Sequence, residues 1–455
     1  MRGVDLAGTR VCVAGLGMTG ASAVTVLAGL GADVVTADRS EGTDRSLPAG
    51  TELVVTSPGW APTQPLLVAA AEAGIPVWGD VELAWRLRPE GQQWLGVTGT
   101  NGKTTTVRML ASILAAAGRS AVAVGNVGYP VLDAVVAAPA YDVLAVEVSS
   151  FQLHWTSTVE FGAAAILNIA PDHLDWHGSM AAYVADKALI WRGSPVLVYA
   201  VDDPVVAGLA AGRPRLIGFT GGRPGAGQLG IREGTLLDRA CSSAAQDVGR
   251  ATGGRVETPA GGVALASVAD VRPAAPHNVL NALAAAALAR SVGVPPEAVR
   301  EGLRSFSPGL HRIALVATVA GVDYVDDSKA TNPHAATASL LAFDPVVWVA
   351  GGLAKGARFE EVVEAAAGRL RGVVLMGRDR DLVADALRRH APQIPVVDVP
   401  GTDTGAMEDV VRAAASLAAP GDTVLLAPAC ASMDMFRDYA ARGDAFADAV
   451  GRLGT

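Results

Sequence analysis

Nine residues around position 100, Val97-Thr98-Gly99-Thr100-Asn101-Gly102-Lys103-Thr104-Thr105, constrain the fold more than any other stretch of the chain. A short apolar run (Trp94, Leu95, Val97) leads into a turn broken by glycines, and Val107, Leu110 and Leu114 then recur at helical spacing. Strand, Gly-Lys-Thr turn and helix together predict a phosphate-binding loop. N–H groups at a helix start point at anion oxygens, Lys103 offsets charge between the outer phosphates, and the Thr104 hydroxyl is suited to ligate Mg2+. The strict G-x-x-x-x-G-K-[ST] spacing needs a glycine at position 97, where the chain has Val97 flanked by Gly96 and Gly99. The bland alternative is a strand-to-helix turn that holds nothing. Two glycines, a preceding strand and an amphipathic helix coincide here, which favours a nucleotide.

At 455 residues the chain exceeds the usual single domain, and about two to four domains are expected. Apolar residues make up 50% and charged residues 18%, which supports buried cores and argues against disorder. The net charge of −9 contains no basic block, so no nucleic-acid partner is expected and an anionic substrate must be held by local cations. Cys12, Cys241 and Cys430 show neither metal spacing nor a disulfide framework, as suits a reducing cytoplasm. Residues 11–32 carry no charge and Ala21-Ser22-Ala23 imitates a leader cleavage site. Five glycines and two threonines interrupt that run, which resolves into strand, turn and helix, so neither a leader nor membrane insertion is expected.

Taken in order, the chain reads as α/β throughout, in three domains. Residues 1–91 open with Val11-Cys12-Val13-Ala14, the turn Gly15-Leu16-Gly17-Met18-Thr19-Gly20 and a helix to about Leu30, then Val34-Val35-Thr36-Ala37 ending at Asp38. This is a Rossmann-like βαβ start; read alone it indicates NAD, yet the same turn binds any diphosphate. Residues 92–308 form a central ATPase-type domain with a mainly parallel sheet, whose strands end in Asn126, Glu147 and Asn168. Residues 221–262 are glycine-rich and read as an antiparallel excursion or flexible loops without chemistry. His277-Asn278-Val279-Leu280-Asn281 opens an alanine-rich helix. Residues 309–455 form a second Rossmann-like domain with strands at 313–318, 346–350, 372–376 and 423–427. Polar loops are read after these strands at 326–333, 351–355 and 428–432.

Glu147 closes an apolar strand beyond the phosphate loop, a place suited to a carboxylate that holds Mg2+; a surface or capping carboxylate is the alternative. On spacing alone His173 is as readily structural as functional, and Lys187, in a helical pattern with Tyr183, Ile190 and Trp191, reads as a solvated lysine.

Thr98 to Thr104, Glu147-Val148-Ser149-Ser150-Phe151-Gln152-Leu153, Asn168-Ile169-Ala170-Pro171-Asp172-His173-Leu174-Asp175, His277 to Ala282 and Gly309-Leu310-His311-Arg312 resemble the Mur ligase family of peptidoglycan synthesis. Asp327-Ser328-Lys329-Ala330-Thr331-Asn332 and Ala429-Cys430-Ala431-Ser432-Met433-Asp434 resemble the branch that adds D-glutamate. The similarity runs through all three domains in order.

The resemblance implies an ATP-dependent, amide-forming ligase that is cytoplasmic and monomeric, with UDP-MurNAc-L-Ala and D-glutamate as small-molecule substrates. The acceptor carboxylate attacks the γ-phosphate to give an acyl phosphate, which the amine of D-glutamate then attacks. It assigns catalysis to Lys103, Glu147, His173 and Lys187, and ATP binding to Gly99, Thr100, Asn101, Gly102, Lys103, Thr104, Thr105, Asn281, Arg312 and Asp327. Two Mg2+ sites are implied, one at Thr104 and Glu147 and one at His173 and a carbamylated Lys187. A carbamate needs a neutral amine first, so a depressed lysine pKa is expected. Asn126, Gln152 and His173 match the muramoyl path, and Thr331, Lys355, Ser432, Met433 and Tyr439 the D-glutamate site. Gly17, Thr19 and Asp38 match the uridine diphosphate site, although Asp38-Arg39-Ser40 departs from the common Asp-Thr-Arg run. The third domain is expected to close on ATP. An NAD oxidoreductase leaves the Gly-Lys-Thr loop and the third domain without a task. Sibling ligases adding L-alanine, a diamino acid or polyglutamate fit the Ser328-Lys329-Ala330-Thr331-Asn332 run less well.

Overall fold

A computed structural model describes residues 4–241, 262–401 and 403–453. Three sheets organise them. The first is all parallel, with strands in the order Asp33–Ala37, Arg10–Ala14, Leu53–Thr56, Val77–Gly79. The central sheet has nine strands, ordered Val263–Ser267, Thr235–Asp238, Gln228–Arg232, Leu216–Phe219, Leu197–Ala200, Ala163–Ile166, Gln93–Thr98, Val143–Glu147, Ala121–Gly125. It is parallel except for Thr235–Asp238 and Val263–Ser267, which pair antiparallel at one edge. That edge accounts for part of the glycine-rich 221–262 run; residues 242–261 of it lie outside the described residues. Strands such as Val143–Glu147 are buried along their whole length, because helices cover both faces and the sequence must be apolar at successive positions.

The third sheet runs Ala314–Val319, Val322–Asp326, Thr423–Leu426, Val346–Gly351, Leu370–Met376, Val396–Asp398. Here the structure corrects the sequence reading. The loop at 326–333 follows not the strand near 313–318 but its antiparallel hairpin partner, Val322–Asp326. The tight turn at Ala320 and Gly321, both at positive φ, sends the chain straight back.

The chain forms two compact units, Met1–Ala274 with Asn278–Phe306, and Ala275–His277 with Ser307–Thr455. The first two sheets share the first unit, joined through the helix Asp80–Leu87. Its Glu82, fully buried, accepts hydrogen bonds from the N–H and hydroxyl of both Ser157 and Thr158 at 2.6–3.0 Å. Burial alone raises a carboxyl pKa, but these donors more than offset it and hold Glu82 below its ordinary range. Two residues earlier, Asp80 accepts from Gln152 Nε2 at 2.9 Å. Among the described residues no helix is long and apolar enough to cross a membrane.

Candidate functional site

The loop between the strand Gln93–Thr98 and the helix Lys103–Ala116 is shaped by two glycines. Gly102, at φ +84°, starts the helix, and a Cβ there would collide with Oδ1 of Asn281. Gly99, at φ +155°, has Leu167 Cβ 3.0 Å from where its own Cβ would be. Two amines converge on this loop. Lys103 Nζ donates to the carbonyls of Gly99 and Thr100 at 3.0 and 2.9 Å, and Lys187 Nζ donates to the same Gly99 carbonyl at 2.8 Å. Asn101 and Asn168 brace the loop reciprocally, backbone N–H to Oδ1 at 2.8 Å and Nδ2 to carbonyl at 3.1 Å. The Thr100 hydroxyl lies 3.0 Å from the Tyr183 hydroxyl. Thr105 is buried in the first helical turn.

Lys187 is not solvated. It is 2% exposed, and burial, then Lys103, press its amine well below the ordinary lysine pKa, only partly opposed by Asp172 and Glu147. His173 sits at φ +53° with its side chain 48% exposed. Desolvation lowers its pKa, Lys103 and Lys187 push the same way, and Asp172 opposes them.

Glu147 ends its strand opposite the loop. Its Oε2 accepts from the Thr104 hydroxyl at 2.6 Å and its Oε1 from Asn126 Nδ2 at 3.0 Å. Gly125, at φ +96°, allows this approach, since a Cβ there would strike the Glu147 carbonyl. Gln152 closes a capping box with Ser149 at the start of the short helix Ser150–His154, which turns its amide toward Asp80.

Sequence reasoning passed over a cluster on this side. Asp186, the neighbour of Lys187, accepts from His154 Nδ1 at 3.1 Å and His177 Nδ1 at 3.0 Å, and His177 Nε2 lies 2.9 Å from the Ser150 hydroxyl. Phe151 stacks on His177 with ring centres 5.4 Å apart. No spacing rule marks these residues; the histidines and aromatics between 151 and 183 are the signal.

Beside the first sheet, Gly17 is exposed at the start of the helix Met18–Gly29, with Thr19 in its first turn. Asp38 accepts from the Leu16 N–H at 2.7 Å and from Ser40 Oγ at 2.6 Å and N–H at 2.9 Å. Those bonds, Ser40 foremost, hold its carboxyl below the ordinary range.

The remaining predicted residues, apart from Asn281, belong to the second unit. Asp327 is buried, takes the Ser339 hydroxyl, and is pushed up to about 6 by burial, with Ser339 and Arg312 opposing. Beside Arg312, His311 Nδ1 lies 2.6 Å from Asp326 Oδ2. Lys355 sits at φ +49°, Met433 is 60% exposed and Ser432 is buried. Thr331 follows Ala330, whose carbonyl accepts from the Ala429 N–H at 2.9 Å. Tyr439 carries the Lys329 ammonium over its ring at 3.8 Å.

Among the described residues no three His, Cys, Asp or Glu side chains group as a metal cage. The hydroxyl–carboxylate pair of Thr104 and Glu147 does fit a hard divalent cation that takes its other ligands from phosphate and water.

Two family models match, the Mur ligase middle domain over residues 97–289 and the Mur ligase glutamate ligase domain over residues 311–430. A protein of Streptomyces avermitilis named UDP-N-acetylmuramoylalanine--D-glutamate ligase is 56% identical, over 98% of this chain and 99% of its own length. A Thermobifida fusca protein of the same name is also 56% identical, over 99% and 100%. Among solved structures, the MurF ligase of Thermotoga maritima in complex with ADP superposes with a TM-score of 0.58 at 17% identity, covering 99% of this chain and 96% of that one.

Proposed function

The chain belongs to the Mur ligase family, and we propose that it joins D-glutamate to UDP-N-acetylmuramoyl-L-alanine with ATP, in peptidoglycan precursor synthesis. It is a ligase, as its relatives are. The observation that carries the reading is the pairing of Thr104 with Glu147 at the mouth of a glycine-shaped loop on which Lys103 and Lys187 converge. The chemical difficulty is a carboxylate approaching a polyanion, and cations with oriented N–H groups are what lowers that barrier.

The division of labour follows the chain: residues 1–91 hold the uridine diphosphate at Gly17, Thr19 and Asp38, 92–308 hold ATP, and 309–455 hold the amino acid and close on ATP. The loop from Gly99 to Thr105 cradles the phosphates, with Lys103 on the outer ones. Asn281, Arg312 and Asp327 take the adenine, triphosphate and ribose. Asn126, Gln152 and His173 line the muramoyl path, and Thr331, Lys355, Ser432, Met433 and Tyr439 receive D-glutamate. Thr104 and Glu147 would hold one Mg2+, and His173 with a carbamylated Lys187 a second; the depressed Lys187 amine supports that modification. When bound, Mg2+ neutralises charge on the phosphates. The alanyl carboxylate oxygen bonds to the γ-phosphorus as the bond to ADP breaks. The amine of D-glutamate then adds to the carbonyl carbon of the acyl phosphate, loses a proton, and phosphate leaves. The reaction belongs in the cytoplasm, with the chain acting as a monomer.

Phosphate release from ATP with UDP-MurNAc-L-Ala, offering D-glutamate, L-glutamate, L-alanine and meso-diaminopimelate separately, tests this. Turnover with D-glutamate alone is expected. Turnover only with another amino acid would overturn the assignment of the amino-acid loops of residues 309–455.

A further inference from the structure

Among the described residues of the second unit, one buried cation has no task in the scheme above. Arg442, in the helix Tyr439–Leu453, is 1% exposed. Its Nε donates to Ser328 Oγ at 2.9 Å, Nη2 to the Ser328 carbonyl at 2.9 Å, and Nη1 to the Cys430 carbonyl at 3.1 Å. A Cβ on Gly352 would lie 3.3 Å from Nη1, so the guanidinium runs directly beneath that backbone. Every acceptor is neutral, and among the described residues no carboxylate lies within ion-pair distance of Arg442. Burial depresses the guanidinium pKa, and Asp434 and Asp326 oppose this only from beyond contact. Burying a charge without a contacting counter-ion is expensive, and an apolar side chain would fill the space at lower cost.

What the arginine gains is geometry. Ser328, Gly352 and Cys430 stand in the loops that follow Val322–Asp326, Val346–Gly351 and Thr423–Leu426. These three strands are neighbours and parallel, so their loops emerge along one edge. The same loops carry Thr331, Lys355, Ser432 and Met433. They are also tied to each other: Leu353 and Ala431 exchange two backbone bonds at 2.8 and 3.0 Å, and the Ala429 N–H reaches the Ala330 carbonyl. Gly352, at φ +135°, has no side chain, and one there would collide with the Ala431 carbonyl. A planar fork suits this position because it directs several N–H groups along fixed vectors; a lysine supplies a single point.

We infer that Arg442 is a positioning residue that sets these three loops in the register that receives the incoming amino acid. The inference rests on the reading that these loops bind D-glutamate. Arg442 touches no substrate; it acts through Ser328, Gly352 and Cys430.

The test is steady-state kinetics on the full chain with R442M, R442K and S328A, varying D-glutamate, UDP-MurNAc-L-Ala and ATP in turn, alongside thermal melts. R442M is expected to raise KM for D-glutamate by about ten- to a hundredfold, the scale of ångström-level misplacement of a binding group. KM for ATP and for the muramoyl acceptor should move less than about threefold. R442K should fall between wild type and R442M. S328A keeps the guanidinium and its two carbonyl bonds and should raise the same KM by about threefold. Equal increases in all three KM values, or a loss of kcat alone, would mean a structural role and overturn the inference. Should R442M show no cooperative melt, R442K and S328A decide: an unchanged KM for D-glutamate in both overturns it. A wild-type chain that uses a different amino acid sinks the proposed function instead, and the loop inference is then read from that amino acid's KM in the same variants.

Discussion

The Thr104 hydroxyl donates to Glu147 Oε2 across 2.6 Å, although the two residues are 43 positions apart. The contact joins the first residues of the helix Lys103–Ala116 to the carboxyl end of the strand Val143–Glu147. With Asn126 on the other oxygen, E147Q keeps the shape and removes the charge; its amide oxygen can still accept from Asn126, while its nitrogen donates to the Thr104 hydroxyl and reverses that bond. Turnover is expected to fall about a hundred- to a thousandfold, with the Mg2+ requirement raised and the melting temperature little changed. Phosphate release across a Mg2+ titration measures this; an unchanged Mg2+ dependence would remove Glu147 from the metal site.

Lys187 gives a prediction in which stability and activity move in opposite directions. Its folded pKa lies well below 10.5, so the unfolded chain binds the proton more tightly. The resulting penalty is present below the folded pKa, shrinks as pH rises, and is gone above 10.5. In CO2-depleted buffer, K187M should therefore melt about 4 °C or more above wild type at pH 7. The gap should narrow by pH 10, while phosphate release is lost at both. A variant that melts below wild type at pH 7 would show the amine to be well satisfied on the Gly99 carbonyl.

Asp80 supplies the opposite sign. Burial pushes its carboxyl from 3.8 up to about 6, against the Gln152 hydrogen bond and helix-start N–H groups. The folded state retains a proton that the unfolded chain releases, so stability is lost as pH rises from about 4 to 6. At pH 7.5 the charged carboxylate costs about 2–3 kcal/mol. D80N should be more stable than wild type at pH 7.5 and lose that advantage at pH 4, as read by denaturant midpoints. A gain that is the same at both pH values would mean that packing, not charge, sets it.

Gly102 can be tested through its backbone. At φ +84°, with Asn281 against it, G102A is expected to cost about 1–3 kcal/mol of strain and to raise KM for ATP at least about tenfold by moving the loop. Wild-type affinity for ATP in a folded G102A chain would separate the loop from the nucleotide.

What the sequence made legible was local. The strand-turn-helix at 93–116 and the βαβ opening at 10–37 need only near neighbours, and their patterns survive in short windows. The strand Val322–Asp326 was not legible, since two of its five residues are aspartates and it exists by pairing with Ala314–Val319 and Thr423–Leu426. Lys187 looked like a solvated helical lysine because the carbonyl that receives it lies 88 residues earlier. Glu82 and Arg442 carry no local signal of burial; partners distant in sequence make them interior residues. The metal and substrate roles rested on similarity to a family, because loop residues at strand ends carry no periodicity of their own.

Glu82 also bears on how the chain comes off the ribosome. Its partners Ser157 and Thr158 follow it by 75 and 76 residues, so for that stretch of synthesis Arg86, at 2.8 Å, is its nearby donor in the helix. The first sheet is thus translated whole, through Val77–Gly79, before its clasp exists. Completion of the amino-terminal part is timed by a segment beyond the phosphate loop, and a nascent chain arrested near residue 100 should be sensitive to protease where one arrested well past 158 resists.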